Sequence, residues 1–172
     1  PLIELGTHHE QQHQELLLMD IKHVLFQNPL LPTYRPAPLA SVSPASAAAP
    51  LTFTQHDDGL VEIGHDGDGF SYDNEGPRHK VWLEPFALAN RLVTCGEWLE
   101  FMNADGYGRH EYWLSDGWAT VQQEGWDAPL YWDRRDGEWF VFTLNGQQRV
   151  DPSAPVVNVS YYEADAYARW AG

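Results

Sequence analysis

The sequence of 172 residues has a net charge of −15, from 25 acidic against 10 basic side chains. A chain this acidic repels phosphate backbones and anionic lipid headgroups, which argues against nucleic acid and membrane surfaces as partners. Hydrophobic residues make up 43% of the chain and charged residues 20%, a composition typical of a globular protein and not of a disordered one.

Only one cysteine, Cys95, is present, so no disulfide can form within the chain. No apolar stretch approaches the roughly 20 residues that span a bilayer, and no basic-then-apolar leader opens the sequence. These features predict a cytoplasmic protein. The sequence starts without Met and stops directly after a helical pattern, which leads us to expect a fragment of a longer protein.

Residues 8–27 are predicted to form one helix, because apolar residues recur there at helical spacing and neither Gly nor Pro interrupts them. Asn28-Pro29 ends the helix, since the residue before a proline disfavours the helical region. Near its start the helix contains the motif His-Glu-Gln-Gln-His at positions 9–13.

This motif predicts a metal site. Two histidines four residues apart lie one above the other on a helix, so His9 and His13 can bind the same ion. The letters also fit the zinc hydrolase motif, in which Glu10 would be the general base. A pair of solvated polar residues is the plainer alternative. His23 lies about 15 Å further along the axis and cannot join the site.

Residues 29–50 are predicted to be a linker, since six of the 12 prolines fall there and Arg35 is the only charge. Residues 51–172 change to short strands and tight turns, with six Asp-Gly pairs as turn signals. Strands are predicted at 60–64, 79–83, 86–89, 130–132, 139–144 and 156–159. Capping boxes at 94–97 and 160–163 predict two helices among them. The fold class is therefore α+β.

Two further patterns in this region do not indicate a functional site. An EF-hand loop from Asp66 would need Gly at position 71, where Ser71 stands, so residues 65–79 are interpreted as an exposed turn cluster. Cys95 lies in a helix-capping turn, where a thiol can be activated, but a lone cysteine there more often serves as a small filler.

The two halves together resemble a known architecture. The stretch GTHHEQQHQELLLMDIKHVL is similar to the metal-binding helix of the DinB-like four-helix domain in the ergothioneine-biosynthesis sulfoxide synthases, the EgtB family. The stretches GLVEIGHDGDGFSYDNEGPRHKVWLEPFALANRLVTCGEWLEFM and PVVNVSYYEADAYARWAG resemble the opening half of the formylglycine-generating-enzyme-like (sulfatase-modifying factor) domain, which has a C-type-lectin-like fold. The resemblance implies the end of a DinB-like domain over 1–28, a linker over 29–50 and a partial lectin-like domain over 51–172.

The resemblance implies an O₂-dependent non-haem Fe(II) enzyme. It would join the sulfur of cysteine or γ-glutamylcysteine to the imidazole of N-trimethylhistidine (hercynine), forming a sulfoxide. The family's iron is held by three histidines, two of which match His9 and His13, while the third lies upstream of this chain. Gln12 matches the glutamine that helps to hold the hercynine imidazole, and Glu10 would be structural. The family's catalytic tyrosine lies beyond this chain, so the fragment alone is expected to be inactive.

Two other functions stay open. A zinc hydrolase would need a third ligand downstream of the linker and a substrate cleft across Glu10. A non-catalytic lectin-like binding module would keep its function without residues 1–28.

Overall fold

A computed structural model describes residues 2–36 and 48–172, so that part of the predicted linker, residues 37–47, lies outside the described residues. Within these ranges the chain forms helices α1 (Leu2–Gln27), α2 (Cys95–Asn103), α3 (Ser115–Glu124) and α4 (Tyr161–Ala171). The strands are β1 (Phe53–His56), β2 (Gly59–Ile63), β3 (His79–Leu83), β4 (Phe86–Ala89), β5 (Trp132–Arg135), β6 (Glu138–Thr143) and β7 (Gly146–Arg149). This mixture of helices and small antiparallel sheets confirms the α+β class.

The chain divides into two compact units. The first unit comprises Pro1–Ile21 and Pro50–Arg91, and the second comprises Lys22–Ala49 and Leu92–Gly172. Helix α1 therefore contributes residues to both. The predicted boundaries at 28 and 50 divide the chain differently. Because units of packing are not the same as sequence domains, those boundaries stay a prediction.

Helix α1 begins at Leu2, earlier than the predicted start at residue 8, and ends at Gln27 as predicted. None of its residues is buried in the described structure. Among the described residues, no helix combines the length and the apolar character needed to cross a bilayer.

The C-terminal turns of α1 pack within the second unit. Lys22 Nζ donates a hydrogen bond to Asn158 Oδ1 at 2.9 Å and lies 4.1 Å from the centroid of the Tyr131 ring. Partial burial lowers the pKa of Lys22. Phe26 contacts the rings of Tyr131 and Phe142, with centroids 5.0 and 5.8 Å away. Cation–π and aromatic contacts thus hold this end of the helix.

Two antiparallel strand pairs form the sheets of the first unit, β1 with β4 and β2 with β3. Phe53 lies opposite Ala89 in one pair, and Gly59 lies opposite Leu83 in the other. Strands β3 and β4 occupy the predicted residues, and β2 begins one residue earlier than predicted. The sequence did not predict β1, because the letters FTQH lack the alternation of apolar and polar residues that marks a strand.

The second unit contains an aromatic core. Its main cluster of buried residues is Trp98, Phe101, Tyr107, Trp113, Val121 and Ala166. A smaller cluster is formed by Cys95, Trp132 and Val150. Helices α2, α3 and α4 each contribute to the main cluster, while the antiparallel meander β5–β6–β7 packs next to the smaller one.

Both predicted capping boxes are confirmed. The Thr94 hydroxyl accepts from Glu97 N at 3.2 Å, and the Glu97 carboxylate accepts from Thr94 N at 2.8 Å. Ser160 and Glu163 repeat the arrangement at the start of α4, with distances of 3.2 and 2.6 Å. Each box satisfies two amides that a helix end leaves without an intrahelical partner.

Helix α3 was not predicted, because the dipeptide Asp116-Gly117 is typical of a turn. Gly117 instead lies in the first turn of the helix, where a Cβ atom would come within 2.6 Å of Tyr162 Cβ. Helix α4 therefore approaches so closely that only glycine fits at this position. Asp136-Gly137 does form the predicted turn between β5 and β6, with φ angles of 50° and 85°.

The predicted strand at 156–159 is wrong, because those residues form no strand in the described structure. Only an isolated bridge forms beside them, between Thr94 and Pro155. Pro155 has no N–H to continue a ladder, and Asn158, with φ of 62°, interrupts the extended run. Strand β5 likewise starts later than predicted, after Tyr131, whose φ is 74°.

A buried carboxylate joins α4 to the loop after α2. Glu163 is only 3% exposed, and its Oε1 accepts from the Tyr107 hydroxyl at 2.6 Å while Oε2 accepts from Ser160 N. Burial raises the pKa of Tyr107 far above its usual range, and the nearby Glu163 charge raises it further. Tyr107 therefore stays protonated and keeps donating to Glu163.

Replacing Tyr107 with Phe removes this donor and leaves a buried carboxylate oxygen unpaired. We expect the free energy of unfolding to fall by about 1–3 kcal/mol, the usual effect of losing a hydrogen bond to a buried charged group. Urea unfolding followed by tryptophan fluorescence measures the change. Tyr161→Phe is the matched control, since Tyr161 is 72% exposed. Equal stabilities of the two variants would contradict the contribution of the Tyr107–Glu163 bond.

Candidate functional site

The candidate metal ligands His9 and His13 lie one turn apart on α1, and both side chains are exposed. Their Nε2 atoms are 3.3 Å apart, and the rings meet edge to face with centroids 4.5 Å apart and planes at 73°. The helical repeat of 3.6 residues accounts for this, because it brings residues four apart onto the same row of the surface.

The spacing of the two nitrogens suits a shared metal ion. Two imidazole nitrogens bound to one ion at about 2.0–2.1 Å lie about 2.8–3.0 Å apart at octahedral angles and about 3.3–3.4 Å apart at tetrahedral angles. A hydrogen bond between the rings has a similar length, with the tautomer deciding which nitrogen donates. Within residues 2–36 and 48–172, no group of three or more His, Cys, Asp or Glu side chains is placed to hold a metal ion. The pair therefore offers two ligands.

His9 and the predicted substrate-binding residue Gln12 share a cleft of about 690 Å³ in the first unit. Helix α1 provides one part of the lining and a loop provides the other. The lining residues are Leu2, Leu5, Gly6, His9, Gln12, Tyr72, Asp73 and Asn74. Glu10 is not among them, because it follows His9 directly and so points about 100° further around the helix.

The loop wall of the cleft is fixed by stacking and hydrogen bonds. Phe70 stacks on His8 with centroids 4.1 Å apart and meets Tyr72 edge to face at 4.9 Å. Tyr72 N donates to Glu75 Oε2 at 2.7 Å, and Glu75 O accepts from His65 N at 2.7 Å. These contacts hold the short 3-10 helix Asp73–Glu75 against the N-terminal half of α1.

The sequence did not identify Tyr72, Asp73 and Asn74 as cleft residues. Residues 65–79 are rich in Gly and Asp, which favoured an exposed turn cluster. The Glu75 carboxylate accepts from Tyr72 N as in one half of a capping box, but the motif requires Ser or Thr at the first position, so the residues gave no such signal. The contact between this turn and α1 joins residues about 60 positions apart and has no local signal.

Cys95 is not suited to nucleophilic chemistry. Burial raises the pKa of its thiol to about 11, and the charge of Asp151 adds to the effect. The thiol points to Pro155 O at 3.6 Å within the smaller core cluster. A thiol that stays protonated at neutral pH is a poor nucleophile, which agrees with the expectation of a small filler.

Comparison with known proteins places several proteins of ergothioneine biosynthesis among the relatives of this chain. Residues 46–172 match the family of sulfatase-modifying factor enzyme 1-like domains. The chain is 34% identical over 166 residues to hercynine oxygenase of Mycolicibacterium smegmatis, which covers 95% of this chain and 37% of that protein. Ergothioneine biosynthesis protein 1 of Schizosaccharomyces pombe is 29% identical over 105 residues, covering 60% of this chain and 11% of that protein.

Formylglycine-generating enzymes are also among the relatives. That of Streptomyces coelicolor is 29% identical over 152 residues, covering 80% of this chain and 48% of that protein. The chain spans about a third of the length of the Mycolicibacterium hercynine oxygenases that it matches.

Proposed function

The chain belongs to the family of sulfatase-modifying factor enzyme 1-like domains, and we propose that the protein it comes from is an oxygenase of ergothioneine biosynthesis that acts on hercynine. The similarity to hercynine oxygenase carries the proposal, because it covers 95% of the chain. The 5% of the chain outside this similarity amounts to about nine of its 172 residues. Helix α1 has 26 residues, so most of that helix lies in the similar region. The formylglycine-generating enzyme is similar over a smaller share, 80%.

The proposed reaction is O₂-dependent C–S bond formation with sulfoxidation. Hercynine contributes an imidazole C–H, and a cysteine-type thiol, either cysteine or γ-glutamylcysteine, contributes its S–H. Together with O₂ these give the sulfoxide and one water, so that the two substrates supply all four electrons and no external reductant is needed. The net charge of −15 also agrees with small-molecule substrates rather than nucleic acid.

His9 and His13 are proposed to hold Fe(II), together with a third ligand from elsewhere in the complete protein. Their exposed rings and the 3.3 Å between the Nε2 atoms support a shared ion. When bound, iron would supply the redox chemistry with O₂, and neutral imidazole ligands would leave coordination positions open. Glu10, outside the lining of the cleft, would be a structural residue.

Gln12 is proposed to hold the hercynine imidazole. Its amide lines the same cleft as His9 and can donate to, or accept from, a ring nitrogen. An amide does not titrate near neutral pH, so it can orient the ring without exchanging a proton with it.

The finer fold assignment belongs to the same proposal. Helix α1 would end a DinB-like four-helix bundle over 1–28, and residues 51–172 would begin a C-type-lectin-like domain after the linker over 29–50. Exposed apolar side chains on α1, among them Leu17 at 65% and Val24 at 60%, support packing against other helices of a bundle. The cytoplasmic location stays a prediction.

Anaerobic loading of the complete protein with Fe(II) should give one iron per chain, and His13→Ala should lose it, because a ligand is removed. Metal analysis after desalting measures the content. His23→Ala, on the same helix but ten residues further on, is the matched control and should retain iron. Iron bound by His13→Ala at wild-type affinity would rule out the histidine pair as the site.

Glu10→Gln separates the oxygenase from a zinc hydrolase. The amide keeps the shape of the side chain but cannot act as a base, and a true general base would contribute on the order of 10²–10⁴ in rate. We expect sulfoxide formation to change by much less than that. Loss of sulfoxide formation to background, with the metal still bound, would contradict the structural role and show that Glu10 acts as a base.

Gln12→Leu should weaken hercynine binding by up to roughly tenfold, the effect of losing one hydrogen bond. Calorimetric titration of the anaerobic complete protein measures the dissociation constants of both substrates. The thiol should be little affected. Gln11→Leu is the control, since Gln11 does not line the cleft. Equal losses for both substrates, or no loss for hercynine, would assign Gln12 a different role.

A further inference from the structure

We infer that Tyr131 and Asn158 form a socket for the C-terminal turns of α1, and that this socket positions the helix that contains the histidine pair. In the proposed reaction both are positioning residues. That role rests on the proposed function, because its fold assignment separates α1 from the domain over 51–172. The contacts of the socket itself lie within the second unit, to which Lys22 and Phe26 belong.

The two socket residues have a backbone conformation that residues other than glycine seldom adopt. Tyr131 has a φ of 74° and Asn158 has a φ of 62°, and the left-handed region is especially unusual for a bulky residue such as tyrosine. Glycine would adopt these angles without strain, but it would provide neither a ring nor an amide. Strained residues are concentrated at functional positions, which indicates that these two side chains have a role.

Backbone hydrogen bonds hold the socket residues in place. Tyr131 O accepts from Phe142 N at 2.9 Å, and Asn158 O accepts from Leu130 N at 3.2 Å. The second bond joins Asn158 to the residue directly before Tyr131, so the two strained residues are neighbours in the fold. Tyr131 is only 8% exposed, and its ring is therefore constrained by contacts on several sides.

Helix α1 provides a cation and a ring for the socket. Lys22 Nζ donates to Asn158 Oδ1 at 2.9 Å and lies 4.1 Å from the centroid of the Tyr131 ring. Phe26, four residues further on the same row of the helix, meets the Tyr131 ring edge to face at 5.0 Å. His23 Nδ1 lies 3.3 Å from the Tyr131 hydroxyl. Cation–π and edge-to-face contacts are both favourable, so each group of the socket has a matching partner on the helix.

The socket is a second place at which α1 meets the proposed lectin-like domain. The first is the cleft, where His9 and Gln12 of the helix and the loop Tyr72–Asn74 line the same space. In the proposed domain arrangement, the two walls of this cleft come from different domains. The cleft then keeps its geometry only while the helix keeps its position. A helix with one attachment can pivot about it, whereas a second attachment prevents the pivot.

A small pivot is enough to disturb a reaction at the histidine pair. Lys22 lies nine residues beyond His13, which is about 14 Å along the helix axis. A tilt of about 5° at the socket therefore moves His13 by about 1 Å. A misplacement of about 1 Å can lower the rate of an enzyme by about a hundredfold. The socket would thus act on the chemistry through position, without touching metal or substrate.

Hydrogen exchange of the complete, anaerobic, iron-loaded protein tests the socket. Asn158→Gly removes the amide and relieves the backbone strain, and Lys22→Met removes the ammonium but keeps the length of the side chain. In both variants the amides of residues 22–27 should exchange about three- to tenfold faster than in the wild type, the effect of losing one hydrogen bond. The double variant should exchange no faster than either single variant, because all three lose the same contact.

The positioning role is tested by the rate of sulfoxide formation in the same variants. The rate should fall about two- to fivefold, because the helix would be tilted in a larger share of the molecules, while the iron content should stay at one per chain. The melting temperature of Asn158→Gly should not fall, because glycine fits the left-handed region. A purely structural residue would give the opposite pattern, a lower melting temperature and an unchanged rate.

Two further variants are the controls. Asn158→Asp keeps an oxygen for Lys22 and tolerates the left-handed region, so slow exchange and the wild-type rate should be retained. Asp136→Gly makes the same kind of change at another residue with a positive φ, 50°, in the exposed turn between β5 and β6. Because Asp136 is not part of the socket, this variant should exchange and react like the wild type.

The outcomes separate the socket from the function on which its role rests. Wild-type exchange of residues 22–27 in Asn158→Gly would overturn the socket. Faster exchange with an unchanged rate would overturn the positioning role, and so would loss of iron, because the metal site itself would then be damaged. If the complete wild-type protein forms no sulfoxide, the proposed function fails and the positioning role fails with it. The exchange rates still decide in that case whether the socket holds the helix.

Discussion

The stacking of His8 on Phe70 is the contact on which the proposed site depends. It holds the loop before β3 against the N-terminal half of α1, with ring centroids 4.1 Å apart. The helical repeat links the contact to the chemistry. His8 and Gln12 lie on one row of α1, and His9 and His13 lie on the neighbouring row. One row therefore combines the stack with the amide that is proposed to bind the substrate, while the next row contains the two proposed metal ligands.

The two units are stabilised in different ways. The second unit has an aromatic core, with Phe101 fully buried and Glu163 satisfied by two donors. In the first unit, α1 buries no residue, and the four strands form two separate pairs. A two-stranded pair is only marginally stable by itself, so ring contacts such as the stack of His56 on Phe86 have a larger share of its stability. The proposed site thus depends on specific contacts more than on buried area.

Structural features that depend on a few neighbouring residues could be predicted from the sequence. The histidine pair follows from helical spacing, the two capping boxes from residues three apart, and the Asp136-Gly137 turn from its dipeptide. Features set by distant residues were not. Asp116-Gly117 has the letters of a turn, yet the approach of Tyr162 places Gly117 inside a helix. Asp73 likewise became a cleft residue only through a contact between its loop and a helix about 60 positions earlier.

The motif His-Glu-Gln-Gln-His can serve different reactions, and which of its inner residues contacts the substrate distinguishes them. In a zinc hydrolase the second letter has to reach the attacked bond, because it takes the proton from water. Here the cleft is lined by His9 and Gln12, the first and fourth letters, while Glu10 points away. An amide cannot remove a proton from water, but it can match the donor and acceptor of a neutral imidazole. The amide of Gln12 thus faces the cleft as the proposed function requires, since under that proposal it would orient a ring beside the histidine pair and O₂ chemistry on the ring would need no protein base at position 10.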